Sequence, residues 1–228
     1  MKLFRIATGA LVALLLCLGP ASALARTGES RPFQTDTTTA ESPKLSIKAT
    51  FPVTGNAQVD ALTRAHIDRM IRDAQQLYAD GDVPTNIEIT FEEFRLNQDV
   101  VSFLYTQNAY TQGAAYPILS FRADTFNLVK GEPIALTDVV KGDAATVLAP
   151  LVRTQLRQVL GADVYDQLDP DELNEALSDE TTYEIFALSP GGLIIQLQEG
   201  LLGPHALGAP RLTIGYDQLD VSPWVLKQ

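Results

Sequence analysis

Residues 44–78 read KLSIKATFPVTGNAQVDALTRAHIDRMIRDAQQLY, and the period of their apolar residues changes partway along. Leu45, Ile47 and Ala49 alternate with Lys44, Ser46 and Lys48, which is the signature of a strand with one buried face. Phe51-Pro52-Val53-Thr54-Gly55-Asn56 breaks that alternation, with Asn56 placed to cap a helix. Val59, Leu62, Ile67, Met70, Ile71, Ala74, Leu77 and Tyr78 then recur at helical spacing as one apolar stripe, with His66 on or beside it. Asp80-Gly81-Asp82 stops the helix, Gly81 suiting a left-handed terminal residue. A half-buried strand feeding an amphipathic helix predicts helices laid on a sheet.

The rest of the chain extends that pattern. Ile87, Ile89 and Phe91 alternate with polar neighbours, and Val100–Tyr105 and Ile118–Val129 read as two further strands. Val147, Leu148, Leu151, Val152, Leu156 and Val159 make Asp143–Leu160 a second amphipathic helix. Asp169-Pro170-Asp171-Glu172 is a helix start: a capping aspartate, proline at the first position, and acids at the positive dipole end. Ser189-Pro190-Gly191-Gly192 joins strands at Tyr183–Leu188 and Leu193–Leu197, and a Gly/Pro-rich loop at 200–210 precedes a last strand from Arg211 to Tyr216. The expected fold is a single α+β domain over 44–228, an antiparallel β-sheet with helices packed on one face.

Upstream, Lys2 and Arg5 precede the apolar run Ala10–Leu18, and Ala23-Leu24-Ala25 supplies small residues at a cleavage site. The run is shorter than the roughly 20 residues that cross a bilayer core. Residues 1–25 are therefore read as a signal peptide cleaved after Ala25, and the mature protein as periplasmic or secreted. Leu15-Leu16 before Cys17 do not suit a lipobox. Residues 26–43, rich in Thr, Ser, Glu and Pro with Phe33 the only large apolar side chain, are read as a flexible leader.

Composition narrows function. The chain carries a formal charge of −11. Without residues 1–25, 28 acidic residues face 15 basic ones, and the only cysteine is gone. Such a chain repels nucleic acid and anionic lipid and attracts basic partners. No disulfide is then available, and the core alone must hold the fold.

Motifs for chemistry are sparse. No Gly-x-Ser-x-Gly elbow, His-Glu-x-x-His pair, complete calcium loop or phosphate-binding loop is present, so no catalytic residue, metal or cofactor is assigned. The acidic run Asp163–Glu175 is explained by helix capping, and Glu92-Glu93 by an exposed turn or strand end. His66 is read as a packed or flanking histidine. Two glycine-containing segments remain: Tyr105, Tyr110, Gly113 and Tyr116 mark the first, and Gly200, Gly203, His205 and Gly208 the second. Aromatics at turns stack on sugars or anchor protein partners. Tyr110, Gly113, Tyr116 and His205 are accordingly the candidate ligand-binding residues.

Those segments carry a resemblance. Tyr110-Thr111-Gln112-Gly113-Ala114-Ala115-Tyr116, the strand Phe121–Leu128, and Val129-Lys130-Gly131-Glu132-Pro133-Ile134-Ala135-Leu136-Thr137-Asp138-Val139-Val140 are similar, in that order, to the domain-of-unknown-function family numbered 3298. The hairpin Phe186-Ala187-Leu188 to Gly192-Leu193, the loop 200–208 and the strand Leu212–Ile214 continue the likeness over 101–220. Residues 44–100, with Phe51-Pro52 and the helix after it, resemble the 4163-type segment that precedes it. The resemblance implies an envelope-facing, non-catalytic binding module. Members of the family include the ectodomain of a lysozyme-sensing anti-sigma factor and a non-catalytic module of a peptidoglycan deacetylase. The ligand so implied is a basic lysozyme-like protein or peptidoglycan. The turn histidine of the family is replaced here by Ala115 or Tyr116, and signalling like that of the anti-sigma factor is not expected, because its membrane and cytoplasmic segments are not recognised in these residues.

Two other readings compete: a carbohydrate-active hydrolase with two acids about 5–10 Å apart across a cleft, and an envelope protein with a structural or oligomeric role, marked by an exposed apolar patch. Protein recovered from an exporting host is expected to begin at Arg26, as read by N-terminal sequencing and intact mass. Retained Met1, or a lipid adduct on Cys17, would contradict the export reading.

Overall fold

Strand β2 (Leu45–Val53) and helix α1 (Ala57–Tyr78) form where the change of period places them. The computed structural model describes residues 32–78, 81–203 and 207–227. Leu45, Ile47, Ala49 and Phe51 are buried against Val59, Ile67, Met70, Ile71 and Ala74 of α1. Asn56 caps the helix as expected: its Oδ1 accepts from the amides of Gln58 (3.0 Å) and Val59 (3.2 Å). The Asn56 side-chain amide donates to the Leu128 carbonyl at 2.8 Å, which ties the helix start to the far side of the sheet.

Strands β1 (Gln34–Ser42), β2, β3 (Thr85–Arg95), β4 (Val100–Thr111), β5 (Ile118–Asn127) and β6 (Glu132–Pro133) make one sheet in chain order. Every neighbouring pair is antiparallel except β2 and β3. That pair is parallel because α1 is the crossover between the two strands, a connection parallel pairing requires. The sheet is therefore mixed, where alternation alone suggested antiparallel strands throughout.

A second difference lies at the N-terminal edge. Gln34–Ser42, inside the stretch read as a flexible leader, form the edge strand β1, paired along its whole length with β2. Phe33 explains the anchoring. Its ring packs edge-on against Phe103 at 5.9 Å, the Arg95 guanidinium stacks over it at 4.1 Å, and its amide donates to Glu93. Four threonines between residues 35 and 39 then supply β-branched side chains that need no core.

The remaining elements build a second, smaller layer. Helices α2 (Leu136–Val139), α3 (Ala144–Leu160), α4 (Ala162–Tyr165) and α5 (Pro170–Ser178) lead through a 3-10 turn at Glu180–Tyr183 to strands β7 (Phe186–Ser189), β8 (Gly192–Gln196) and β9 (Arg211–Ile214). These strands form a separate antiparallel sheet in the order β7-β8-β9. Gly192 sits at φ 142°, and a Cβ there would collide with the Ile214 carbonyl, so the expected hairpin needs glycine at that position. One face of the small sheet, with Leu188, Leu193, Ile195, Leu212 and Ile214, packs on Leu148, Val152 and Leu156 of α3 and on Leu173 and Leu177 of α5. The architecture is α+β, with α1 on one side of the large sheet and α3 and α5 on the small one.

Strand β7 lies against β3, β4 and β5 on the face turned away from α1, where Leu104, Phe121 and Ile185 form a small apolar cluster. The contact is pinned by polar groups. Fully buried Ser102 accepts the Leu188 amide at 2.9 Å and shares a 2.8 Å bond with Thr125. Glu92, read as an exposed turn or strand end, lies within β3 and receives both guanidinium nitrogens of Arg211, at 2.9 and 2.6 Å. That bond, more than its charge, holds the Glu92 carboxyl below the usual glutamate range.

Ser102→Ala leaves the buried Leu188 amide without an acceptor and is expected to cost about 1–3 kcal/mol. The measurement is a lower urea midpoint at unchanged slope. Ser46→Ala, at an exposed position of β2, should barely move it.

Candidate functional site

At the outer edge of β5, the strand that follows the first segment singled out in the sequence meets the residues that lead into the second. Strand β6 covers only the end of that edge, at Phe126 and Asn127. Farther along, side chains from the loop after β8 take the place of a strand. The Gln198 amide accepts from the Phe121 amide at 3.1 Å and donates to the Phe121 carbonyl at 2.8 Å, as a neighbouring peptide unit would. Glu199 accepts from the Leu119 amide at 2.8 Å. An open sheet edge is thus closed by two side chains.

Above that edge stands the β4–β5 hairpin. Tyr110, Tyr116 and Ile118 are 42%, 55% and 50% exposed, a cluster of large apolar side chains at one tip. Gly113 turns the chain at φ +87°, a conformation that side-chain-bearing residues rarely adopt, with open space around it. Gln112 donates to the Pro84 carbonyl at 2.9 Å, which fastens the turn to the loop before β3. Of the tyrosines considered, Tyr105 belongs to the core, whereas Tyr110 and Tyr116 do not. His205 lies outside the described residues.

Beside the β5 edge lies a groove of about 620 Å³. One wall is α5 and the turn after it, with Glu172, Glu175 and Asp179. The other is the loop from Gln198 through Gly200 and Leu201 to Gly203, and Ile185 lies at its base. A second hollow of about 320 Å³ shares Glu172 and Gly203 and adds Leu168, Asp169, Leu202 and Leu207. Among the described residues, no cationic side chain lines either one. The spacing of residues 172, 175 and 179 puts three carboxylates on one side of a helix and its extension. That periodicity was legible in the acidic run but is equally accounted for by capping, which Asp169 does perform: it accepts from the amides of Asp171 and Glu172. Asp179 is held below the usual aspartate range, chiefly by the Thr181 backbone amide, and stays ionised near neutrality. Gln198 and Glu199 left no sequence signal, since a single polar side chain standing in for a strand has no period.

Two carboxyls do meet near this surface. Glu180 is raised above its usual range by its hydrogen bond to Asp143, while Asp143 is lowered by Thr146, whose amide it caps at the start of α3. Both are fully exposed. The desolvation that keeps a catalytic acid protonated near neutral pH has no source at such a place.

On the opposite side of the large sheet, His66 Nδ1 lies 2.5 Å from Asp124 Oδ2, and its ring is 5.2 Å from that of Tyr105. It is a flanking histidine with a partner. Burial, followed by the Asp124 charge, pushes the Tyr105 phenol well above its usual range. The Tyr105 hydroxyl and Thr63 Oγ1 are both fully buried, and the side chains of Thr63 and Asp124 act on the phenol. Among the described residues, no three His, Cys, Asp or Glu side chains are grouped to hold a metal ion, and no helix is long and apolar enough to cross a membrane.

Residues 137–217, from α2 past β9, match the model of a family described as "Protein of unknown function (DUF3298)". The chain shares its fold with a DUF3298 family protein of Pseudomonas aeruginosa PAO1, at 17% identity and a TM-score of 0.58 over 87% of this chain and 98% of that one. A DUF3298 family member of Bacteroides fragilis NCTC 9343 is similar at 15% identity and a TM-score of 0.56, over 84% and 95% of the two chains. Among curated proteins there is no match.

Gln198→Ala is expected to uncover the β5 edge locally. Hydrogen exchange of the Phe121 amide should then accelerate by about tenfold or more, while Leu104 in the central strand keeps its protection. An unchanged Phe121 rate would show that the side chain does not close the edge.

Proposed function

We propose that this chain is an exported, non-catalytic binding module of the cell envelope whose ligand is a basic lysozyme-like protein, with peptidoglycan as the competing ligand. The observation that carries this reading is the joining of an exposed aromatic tip to an acidic groove. Tyr110, Tyr116 and Ile118 cap the β4–β5 hairpin, and Gln198 and Glu199 tie the next strand to the loop that walls the groove.

Tyrosine serves such a surface well, because it brings a large contact area with few rotatable bonds and a polar tip. The charge of the chain favours a basic protein over the glycan, since it steers cationic partners from a distance and offers a neutral sugar nothing equivalent. The export reading comes from the N-terminal sequence and supplies the compartment where both ligands occur.

The hydrolase reading is less well supported, because the Asp143–Glu180 carboxyl pair is solvated and Asp143 is engaged as a helix cap. Titration of the mature chain with hen lysozyme and, separately, with soluble muropeptides tests the proposal. Saturable lysozyme binding is expected, weakening as salt is raised from about 50 to 500 mM. Tyr110→Ala with Tyr116→Ala should weaken it by about tenfold or more. Binding of muropeptides alone would transfer the reading to the glycan. Binding of neither, or release of new reducing ends from cell walls by the pure chain, would overturn it.

A further inference from the structure

The groove between α5 and the 198–203 loop has a chemistry that the exposed tyrosines do not share. Its apolar lining is buried Ile185 with half-buried Ala176 and Leu201. Exposed Glu172, Glu175 and Asp179 stand along it, and none of the described lining residues is a cation. At about 620 Å³ it falls within the size range of ligand pockets, which run from roughly 300 to 1,000 Å³.

We infer that this groove seats an arginine or lysine side chain presented by an exposed segment of a basic protein partner. The inference rests on the reading of the chain as a binding module and names the place where the partner's charge is received. Long cationic side chains are amphipathic: an aliphatic stem lies along apolar surface while the charged head stays among polar groups. An apolar base below a carboxylate rim is the complement of that shape. Metal ions fit less well. A divalent cation needs several oxygens converging within about 2.6 Å, and the rim carboxylates are not grouped closely enough to hold one. A guanidinium, planar and five times a donor, can engage carboxylates set farther apart.

Neighbouring contacts hold the walls in place. Thr182 Oγ1 donates to the Ala176 carbonyl at 2.6 Å and the Tyr183 hydroxyl donates to the Leu177 carbonyl at 2.7 Å, so α5 and the turn after it move as one piece. The opposite wall is anchored through Gln198 on Phe121. A groove with both walls fastened is preorganised, which lowers the entropic cost of receiving a side chain.

The test uses the mature chain and two synthetic peptides, acetyl-Gly-Leu-Arg-Leu-Gly-amide and its citrulline counterpart, which keeps the shape and loses the charge. NMR titration of the arginine peptide should shift the amides of Ala176, Ile185 and Gly200 saturably. Citrulline should bind about tenfold more weakly or worse. The double variant Glu172→Gln/Glu175→Gln, whose side chains cap nothing, should weaken the arginine peptide by about tenfold. Glu88→Gln, exposed on the large sheet, should leave it unchanged.

Equal binding of the two peptides, an unaltered double variant, shifts that map elsewhere, or competition by millimolar calcium would each overturn the inference. Its failure is separable from that of the wider reading. Lysozyme binding that needs Tyr110 and Tyr116 but ignores the Glu172/Glu175 variant removes the groove and leaves the module. Arginine binding in the groove without lysozyme or muropeptide binding keeps the groove and removes the assigned partners.

Discussion

The amide of Leu188 sits on the outer edge of β7, buried, with no strand beside it, and it is answered by the hydroxyl of Ser102 from the middle of the large sheet. A buried amide without an acceptor costs about as much as a sizeable share of a domain's net stability. The two sheets can therefore meet in only one way. Once β7 is placed, β8 and β9 follow through the Gly192 hairpin, and the Arg211 side chain of β9 reaches Glu92 on β3. Arg211 also donates to Gln196 and lies 5.7 Å above the Phe94 ring. The buried Gln196 amide donates in turn to the carbonyls of Leu197 and Ala209, at the two ends of the loop that carries Gln198 and Glu199. The candidate site thus hangs from a chain of satisfied polar contacts that begins in the core.

The links that join the two sheets, Leu188 to Ser102 and Arg211 to Glu92, are long-range polar pairs, which is why the fold was legible and its assembly was not. Period two in Leu45–Ala49, the helical stripe of α1, the Asn56 cap, the Asp169-Pro170 helix start and the Gly191-Gly192 hairpin are local signals, and each element lies where they put it. The parallel pairing of β2 with β3 has no local mark, because a half-buried strand alternates in the same way whichever neighbour it takes. Strand β1 is harder still. Its nine residues are almost wholly exposed, so a reading based on buried surface finds nothing, and the anchor is the single ring of Phe33.

The site divides along the same line. Tyr110 and Tyr116 were singled out as aromatics beside a glycine turn, and they are exposed where Tyr105 of the same segment is buried. Two of the groove's three carboxylates, Glu172 and Glu175, sat in plain view within the acidic run, and Asp179 lies beyond its end. What concealed them was that capping and dipole effects give an equal reason for acids at a helix start. Only the opposing loop separates the two explanations, since it turns a row of solvated acids into one wall of a groove.

The two sides of the large sheet are built for different ends. Toward α1, Phe33, Phe91, Tyr105 and Phe126 surround Phe103 or one another at ring distances of 5.8–6.4 Å, and His66 is engaged by Asp124. That side is a core, and changes there register first as lost stability. Along the β5 edge the groove and hairpin contribute little burial of their own, so their side chains can vary while the sheets persist. The fold is shared with two DUF3298 family proteins at only 15–17% identity. The contacts that bring the sheets together lie apart from the exposed rim and tip, so altering the rim charge or the tip aromatics changes what the surface attracts without touching the bond that places it.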